Sequence, residues 1–229
     1  MKSNILLKTV LLPLAFTWLN ICYATNPLNG TYTLDTNLAS SSTNFTSFSA
    51  LALYLNTYGV SGKVTVNVAG GTYNDQLFLN NVSGTSPSSR IFIQKDPNDS
   101  IRPTLTYAAT SSSEDYIVKL TSMSYLTIRN MNLVVEDTMY GNIIDLNGGN
   151  NHHILFKSDS LITTPAYFTG SGSWPIPVLS ENFLTGPNHH LTFLNNYIYG
   201  GMTSFLFRAG NTTSESNIVL DGNEIIGWV

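Results

Sequence analysis

The 229-residue chain has few charged residues and almost no cysteine. Asp, Glu, Lys and Arg make up 10% of it, well below the roughly 25% of ordinary globular domains, with 10 basic residues against 14 acidic ones. This balance, with a formal net charge of −4, excludes a basic nucleic-acid-binding stripe, a charged coiled coil and an acidic solvated tail. The single cysteine, Cys22, excludes a disulfide framework and a cysteine-ligated zinc site.

Uncharged polar residues take the place of the missing charges. Asn, Ser and Thr together occupy 76 positions and supply most of the polar surface. The length allows one or two domains with a sizeable core. The composition is typical of a secreted, strand-rich protein.

Residues 1–24 have the pattern of a secretory signal peptide. Lys2 and Lys8 precede an apolar run over 10–21, and small residues stand at the −3 and −1 positions of a cleavage site after Ala24. A membrane anchor is the alternative, but the run is shorter than the roughly 20 residues that a span needs. Lipid attachment at Cys22 is disfavoured because Ile21 precedes it. We expect a secreted or cell-surface protein that does not span a membrane after cleavage.

The remaining 205 residues divide into two regions. Residues 25–62 are expected to hold an N-terminal strand and a helix over 45–58, which Asn44 or Thr43 caps and Gly59 ends. Residues 63–229 consist of short β-branched or aromatic runs separated by Gly, Asn, Ser and Pro. The second region is therefore predicted to be all-β.

An internal repeat organises the second region. Four segments align without gaps, 125–133, 153–161, 190–198 and 217–225, and an earlier apolar run precedes each of them. Their first apolar residues are separated by 28, 37 and 27 positions and are Leu126, Ile154, Leu191 and Ile218. Every repeat therefore contains at least two short strands.

Apolar positions lie on both sides of a bend within each repeat. The bend positions are Asn130, Ser158, Asn195 and Gly222, followed by Met131, Asp159, Asn196 and Asn223. Asn and Gly tolerate the left-handed backbone of a sharp corner, and stacked Asn amides bond along a common axis. A flat sheet cannot bury both sides of the bend, whereas the inside of a coil can. The repeat predicts a parallel β-helix.

The four repeats resemble right-handed parallel β-helix proteins of the pectate-lyase-like superfamily. The segments 30–33, 59–62, 64–68 and 71–76 are similar to β-helix domains of secreted and surface proteins of the Bacteroidota. The resemblance implies that the helix at 45–58 caps the N-terminal end of the coil. No polar cap follows the last repeat, so we expect an open or truncated C-terminal end, covered by further coils or another chain.

Candidate catalytic groups are sparse. Glycoside hydrolysis needs two nearby carboxyls, and no aligned column of the repeats holds two acids. Lys119 and Asp145 are expected to form a surface ion pair, and Asp159, Asp221 and Glu224 are expected at solvated corners. The outward column Thr127, Leu155, Thr192 and Val219 has no ionisable group and is expected to be chemically silent. We predict no catalytic residues.

Two histidine pairs occupy the same position in successive repeats. His152-His153 and His189-His190 suggest a metal site, but no acidic or cysteine ligand is aligned with them. The favoured interpretation is a turn whose imidazole rings stack along the axis. We predict no metal and no cofactor.

The longest repeat contains an aromatic insertion within 163–177. Tyr167, Phe168 and Trp174 offer apolar faces with polar edges, which suits stacking against sugar rings. The alternative is that these aromatic side chains fold back and cover the coil.

These observations predict a secreted or cell-surface β-helix scaffold, non-catalytic, for adhesion or contact with a polysaccharide or cell-surface glycan, and without a nucleic-acid partner. One alternative is a polysaccharide lyase or glycoside hydrolase of the pectate-lyase-like superfamily. Another is a structural spacer within a large surface protein.

Overall fold

The regular secondary structure of the protein is mostly parallel β-sheet. The computed structural model describes residues 26–136, 140–163, 175–182, 186–201, 203–209 and 214–227. These residues form nineteen strands and one helix, arranged in three sheets in which every strand pairing is parallel. The signal-peptide prediction falls on residues 1–24, which lie outside the described part of the chain.

Each sheet is a stack of strands in chain order, except that β1 lies between β2 and β3 in sheet A. Sheet A contains β1 (Leu28–Leu34), β2 (Asn44–Phe45), β3 (Val60–Val68), β6 (Ile91–Lys95), β9 (Leu126–Arg129), β12 (His152–Lys157), β15 (His189–Leu194) and β18 (Ser216–Asp221). Sheet B contains β4 (Thr72–Asn74), β7 (Thr104–Tyr107), β10 (Asn132–Val135), β13 (Ser160–Ile162), β16 (Tyr197–Tyr199) and β19 (Glu224–Ile226). Sheet C contains β5 (Leu77–Asn80), β8 (Val118–Thr121), β11 (Ile144–Asp145), β14 (Val178–Asn182) and β17 (Phe205–Ala209).

From β3 onward the chain visits sheets A, B and C in turn. Each complete round adds one strand to each sheet next to the strand of the previous round, and the last described round adds β18 to sheet A and β19 to sheet B. This arrangement is consistent with the predicted parallel β-helix. Two rounds, beginning at β3 and β6, precede the four repeats found in the sequence. The repeat alignment missed them because their bend positions hold Val68 and Lys95. The later repeats have Asn, Ser or Gly at this position, beginning with Asn130.

Equivalent apolar positions stack on one another, as the repeat predicted. Leu191 is in register with Ile154 and with Ile218, and Leu161 is in register with Leu133 and with Ile198. The inward residues of the middle rounds are almost fully buried, and the rings of Phe156 and Phe193 stack with their centroids 5.3 Å apart. The core is therefore a set of columns that run across the strands.

The predicted bends have the left-handed backbone that they require. The φ angles are 59° at Asn130, 56° at Ser158, 55° at Asn195 and 62° at Gly222. The side chain of Asn196 donates to the Oδ1 atom of Asn223 at 3.0 Å, one round further on. The expected amide bonding along the stacking direction is confirmed.

The helix begins later than predicted. Helix α1 spans Phe48–Tyr58, and its N-cap is Ser47, whose Oγ accepts from the backbone N–H of Ala50 at 3.0 Å. Asn44 belongs instead to β2, where its buried side-chain amide donates to the backbone oxygens of Asp35, Leu38 and Ala39. The start at 45 and the cap at Asn44 or Thr43 were therefore wrong, because the Asn44 amide holds the preceding loop.

The end of α1 and its buried face agree with the sequence pattern. Gly59 has a φ of 70° and donates its N–H to the Leu55 oxygen, which ends the helix. The apolar face packs into the main core and consists of Phe48, Leu51, Ala52 and Leu55. No helix in the described ranges has both the length and the apolar character needed to cross a bilayer.

Strands β17, β18 and β19 are the last strands of the three sheets, and the apolar side chains of β18 and β19 are exposed except for Ile218, which is half-buried. Leu220 is 48% exposed although it is in register with the buried Phe193, and Ile225 is 47% exposed although it is in register with the buried Ile198. In the earlier rounds the same positions are covered by the next strand.

We expect Phe193→Ala to lower the free energy of unfolding by about 3–5 kcal/mol, because it removes a fully buried ring from the stacked column. The neighbouring outward substitution Thr192→Ala is the control and should change it by less than about 1 kcal/mol. Urea-induced unfolding measures both. Equal losses for the two variants would contradict the inward column.

Candidate ligand-binding groove

A groove of about 440 Å³ lies on the outer face of sheet A. Its floor is formed by outward side chains of β12, β15 and β18, and its rim by residues at the N-terminal ends of these strands and by Arg90, which precedes β6. The lining side chains are Arg90, His153, Ile154, Leu155, His190, Thr192, Leu194, Asn217 and Val219. The groove therefore has an apolar floor and a polar, partly basic rim. Leu155, Thr192 and Val219 form much of this floor, and they belong to the outward column that was expected to be chemically silent.

The rim residues His153 and His190 have left-handed backbone. The φ angles are 57° at His153 and 53° at His190. In a regular strand, consecutive side chains point to opposite faces. Here the Nδ1 atoms of consecutive histidines face each other, at 2.9 Å between His152 and His153 and at 2.7 Å between His189 and His190.

The two histidine pairs stack on each other. The rings of His152 and His189 are nearly parallel with centroids 5.0 Å apart, and those of His153 and His190 are nearly parallel at 4.6 Å. The predicted stacking of the imidazole rings is confirmed. It follows from the register, which sets His189 directly beside His152.

The stack continues beyond the histidines in both directions. Tyr125 stacks on His153 with centroids 4.7 Å apart, and the Arg90 guanidinium lies 5.5 Å from the Tyr125 ring centroid. At the other end the Asn217 side-chain amide lies 3.3 Å from Nε2 of His190. Five rounds thus contribute one residue each to the rim.

Each facing pair of Nδ1 atoms forms a hydrogen bond only when one nitrogen carries a proton and the other does not. Burial, followed by the charges of the neighbouring imidazoles, lowers the pKa of His152 and of His153, and Arg90 adds to the effect at His153. These two rings are therefore mainly neutral at pH 7 and take up protons only in more acidic solution.

Buried asparagines support the rim from inside. The Oδ1 atom of Asn151 accepts from the Met123 N–H at 2.8 Å, and Oδ1 of Asn188 accepts from the Asn151 N–H at 2.9 Å. Both side chains have no exposed surface. This second asparagine ladder was missed, although an Asn directly before each histidine pair is the signal that would have revealed it.

The described residues contain no group of three or more His, Cys, Asp or Glu side chains that could hold a metal ion. Within each histidine pair the two Nδ1 atoms contact each other, and the rings of the two pairs are stacked. The rim offers a ligand the Arg90 guanidinium, the Asn217 side-chain amide and the edges of the imidazole rings. The apolar floor adjoins these polar groups.

The other predicted site residues lie elsewhere. Tyr167, Phe168 and Trp174 fall within 164–174, outside the described residues. Lys119 and Asp145 are in register on sheet C and form an ion pair with an Nζ–Oδ2 distance of 2.9 Å. Asp145 is only 6% exposed, so this pair is more buried than predicted. Asp221 and Glu224 are exposed, as expected.

The prediction for Asp159 was wrong. It is not at a solvated corner but is fully buried in the first asparagine ladder, where Oδ1 accepts from the Met131 N–H at 2.8 Å and Oδ2 from the Lys157 N–H at 3.1 Å. Burial raises its pKa to about 7, and the two backbone donors only partly offset this effect. Because the carboxyl occupies the position of Asn196 and Asn223, it is a buried ladder member and does not line the groove.

No protein-family model, curated protein or solved structure matches this chain. The groove therefore has to be interpreted from its own geometry.

We expect Asp159→Asn to stabilise the protein at pH 8 by on the order of 1–3 kcal/mol, because a neutral amide replaces a buried carboxylate. The folded-state pKa of Asp159 is raised, so its cost is full above about pH 7 and disappears as the pH falls toward the unfolded value. The gain from the substitution should therefore shrink between pH 8 and pH 5, measured by urea unfolding.

Asn196→Asp is the matched control at the next ladder position. It should destabilise the protein at pH 8, because it places a second carboxylate beside the Asn223 oxygen. Equal or lower stability of Asp159→Asn at pH 8 would contradict the interpretation of Asp159 as a destabilising ladder member.

Proposed function

We propose that the protein is a secreted or cell-surface right-handed parallel β-helix, related to the pectate-lyase-like superfamily, that binds a glycan and carries out no reaction itself. Helix α1 closes the N-terminal end of the coil in this proposal. The ordered succession of strands through sheets A, B and C supports the coil. The buried apolar face of α1 supports its role as a cap.

The groove on sheet A is the observation that carries the glycan proposal. Sugar rings have apolar faces edged by hydroxyl groups. The floor offers the aliphatic surfaces of Leu155 and Val219, while the rim offers the hydrogen-bonding groups of His190 and Asn217. Such a combination of apolar floor and a few polar groups is typical of small-ligand sites.

The chemistry of the lining residues favours binding over cleavage. Glycoside hydrolysis uses two carboxyl groups about 5 to 9.5 Å apart. The groove lining contains Arg90, His153 and His190 as its titratable side chains and includes no Asp or Glu. The buried Asp159 belongs to an internal ladder. The lining therefore provides contacts for a sugar but not a pair of acids.

A glycan array with the wild-type protein and Thr192→Trp tests the proposal, because an indole at position 192 fills the groove floor. We expect the wild type to bind a defined set of glycans and Thr192→Trp to lose at least about tenfold in affinity. Thr104→Trp on sheet B is the control and should bind like the wild type.

Trp174→Ala separates the groove from the aromatic insertion. Binding that survives Trp174→Ala but is lost in Thr192→Trp assigns the glycan to the groove, and the reverse result assigns it to the insertion. Failure of the wild type to bind any glycan would overturn the proposal, as would unsaturated products or new reducing ends released from a polysaccharide.

A further inference from the structure

All four histidines of the chain lie at the N-terminal ends of two neighbouring strands. The pair His152-His153 begins β12, and the pair His189-His190 begins β15, in register with it. The same two positions hold Ser124-Tyr125 one round earlier and Ser216-Asn217 one round later. Vicinal histidines are therefore confined to two successive rounds.

Each pair presents two imidazole nitrogens side by side. The Nδ1 atoms are 2.9 Å apart in the pair on β12 and 2.7 Å apart in the pair on β15. The two rings of a pair are steeply inclined to each other, at 84° and 78°. The left-handed backbone of His153 and His190 makes this approach possible, because regular strand backbone would send consecutive side chains to opposite faces.

The distance between the two nitrogens is that of neighbouring ligands on a square-planar metal ion. Bonds from metal to imidazole nitrogen are about 2.0–2.1 Å long, so two nitrogens at a right angle are about 2.9 Å apart. A tetrahedral ion such as Zn²⁺ separates them by about 3.3 Å. The observed distances fit the right angle better. Cu²⁺ takes square-planar geometry and binds nitrogen ligands more tightly than the other divalent ions of its row.

The two pairs are too far apart to share one ion. The ring centroids of His152 and His189 are 5.0 Å apart, and those of His153 and His190 are 4.6 Å apart. Because the stacked rings are nearly parallel, their equivalent nitrogens are separated by similar distances. Two nitrogens on one ion lie at most about 4.2 Å apart, on opposite sides of it. Each pair must therefore hold an ion of its own, with two protein ligands.

The imidazoles are in the protonation state that a metal ion requires. A metal ion binds the unprotonated nitrogen of a neutral imidazole. Burial and the neighbouring imidazoles lower the pKa of His152 and of His153, which keeps both rings mainly neutral at pH 7. With the ion on Nδ1, each ring carries its proton on Nε2. The Asn217 amide, 3.3 Å from Nε2 of His190, can accept that hydrogen bond through its oxygen and hold the ring in place.

We propose that each histidine pair binds one Cu²⁺ ion through its two Nδ1 atoms, so that two copper ions lie one strand spacing apart, about 4.8 Å. Water occupies the remaining positions of each ion. The lack of an aligned acidic or cysteine ligand excludes a closed site with four protein ligands, but not an open site with two. This inference does not depend on the glycan-binding function.

The test titrates Cu²⁺ into the full chain, with Cys22 replaced by serine and without a histidine tag, so that no thiol or added imidazole competes. Isothermal titration calorimetry at pH 7.5 should show two ions per chain. The second should bind more weakly than the first, because two doubly charged ions repel at this distance. Zn²⁺ should bind at least about tenfold more weakly than Cu²⁺.

Two variants replace a pair by residues that the neighbouring rounds already hold at the same positions. His152→Ser/His153→Tyr reproduces the round before, and His189→Ser/His190→Asn reproduces the round after, so the left-handed backbone is retained. We expect each variant to bind one Cu²⁺ ion. The variant with all four changes should lose at least about tenfold in affinity relative to either.

Asp221→Asn/Glu224→Gln is the control, because it removes the exposed carboxylates of the last round and leaves the histidines unchanged. It should still bind two ions. Electron paramagnetic resonance adds a readout of the ligands and of the spacing. We expect imidazole nitrogen couplings with one equivalent of Cu²⁺, and magnetic coupling between the two ions with two equivalents. Either pair variant should lose the coupling between the ions.

Several results would overturn the inference. Copper binding that is unchanged in the fourfold variant, or lost in the carboxylate control, places the metal elsewhere. Loss of both ions in one pair variant, or fewer than two ions on the wild type, contradicts one ion per pair. Zn²⁺ that binds as tightly as Cu²⁺ contradicts the square-planar geometry, and a spectrum without imidazole couplings contradicts the ligands.

Discussion

The hydrogen bonding of each strand to the equivalent strand of the next round, in register, is the constraint on which the rest of the structure depends. In a parallel pairing without slippage, every residue lies beside its counterpart one round later. Inward positions then form apolar columns, such as the stacked rings of Phe156 and Phe193, and outward positions form columns of their own. The core, the asparagine ladders and the histidine stack are all consequences of this one register.

The same constraint magnifies the effect of single residues. An Asn at a bend extends a ladder, whereas Asp159 at that position introduces a buried carboxyl with a raised pKa. Two vicinal histidines repeated in the next round become two stacked pairs of imidazole rings. A cation repeated in the next round becomes a pair of neighbouring like charges, as at Arg129 and Lys157. The properties of this protein therefore depend on columns of equivalent residues more than on individual side chains.

Much of the fold was predictable from the sequence, because inward apolar residues and bend asparagines recur where geometry requires them. The register of Leu191 with Ile154 and Ile218 was predicted in this way. The first two rounds were missed because Val68 and Lys95 do not resemble a bend. The burial of Asp159 and the groove could not be predicted, since a residue type does not specify which side of a corner it faces or how neighbouring columns combine.

A distance between two outward positions of one column tests the central claim most directly. Thr65 and Val219 are joined through five register steps, so their separation should be about 24 Å if each step is about 4.8 Å. Spin labels at Thr65→Cys and Val219→Cys, with Cys22 replaced by serine, allow this distance to be measured by double electron–electron resonance. The account predicts one narrow distribution near that value, and a broad distribution or one centred far from it would contradict the stacked register.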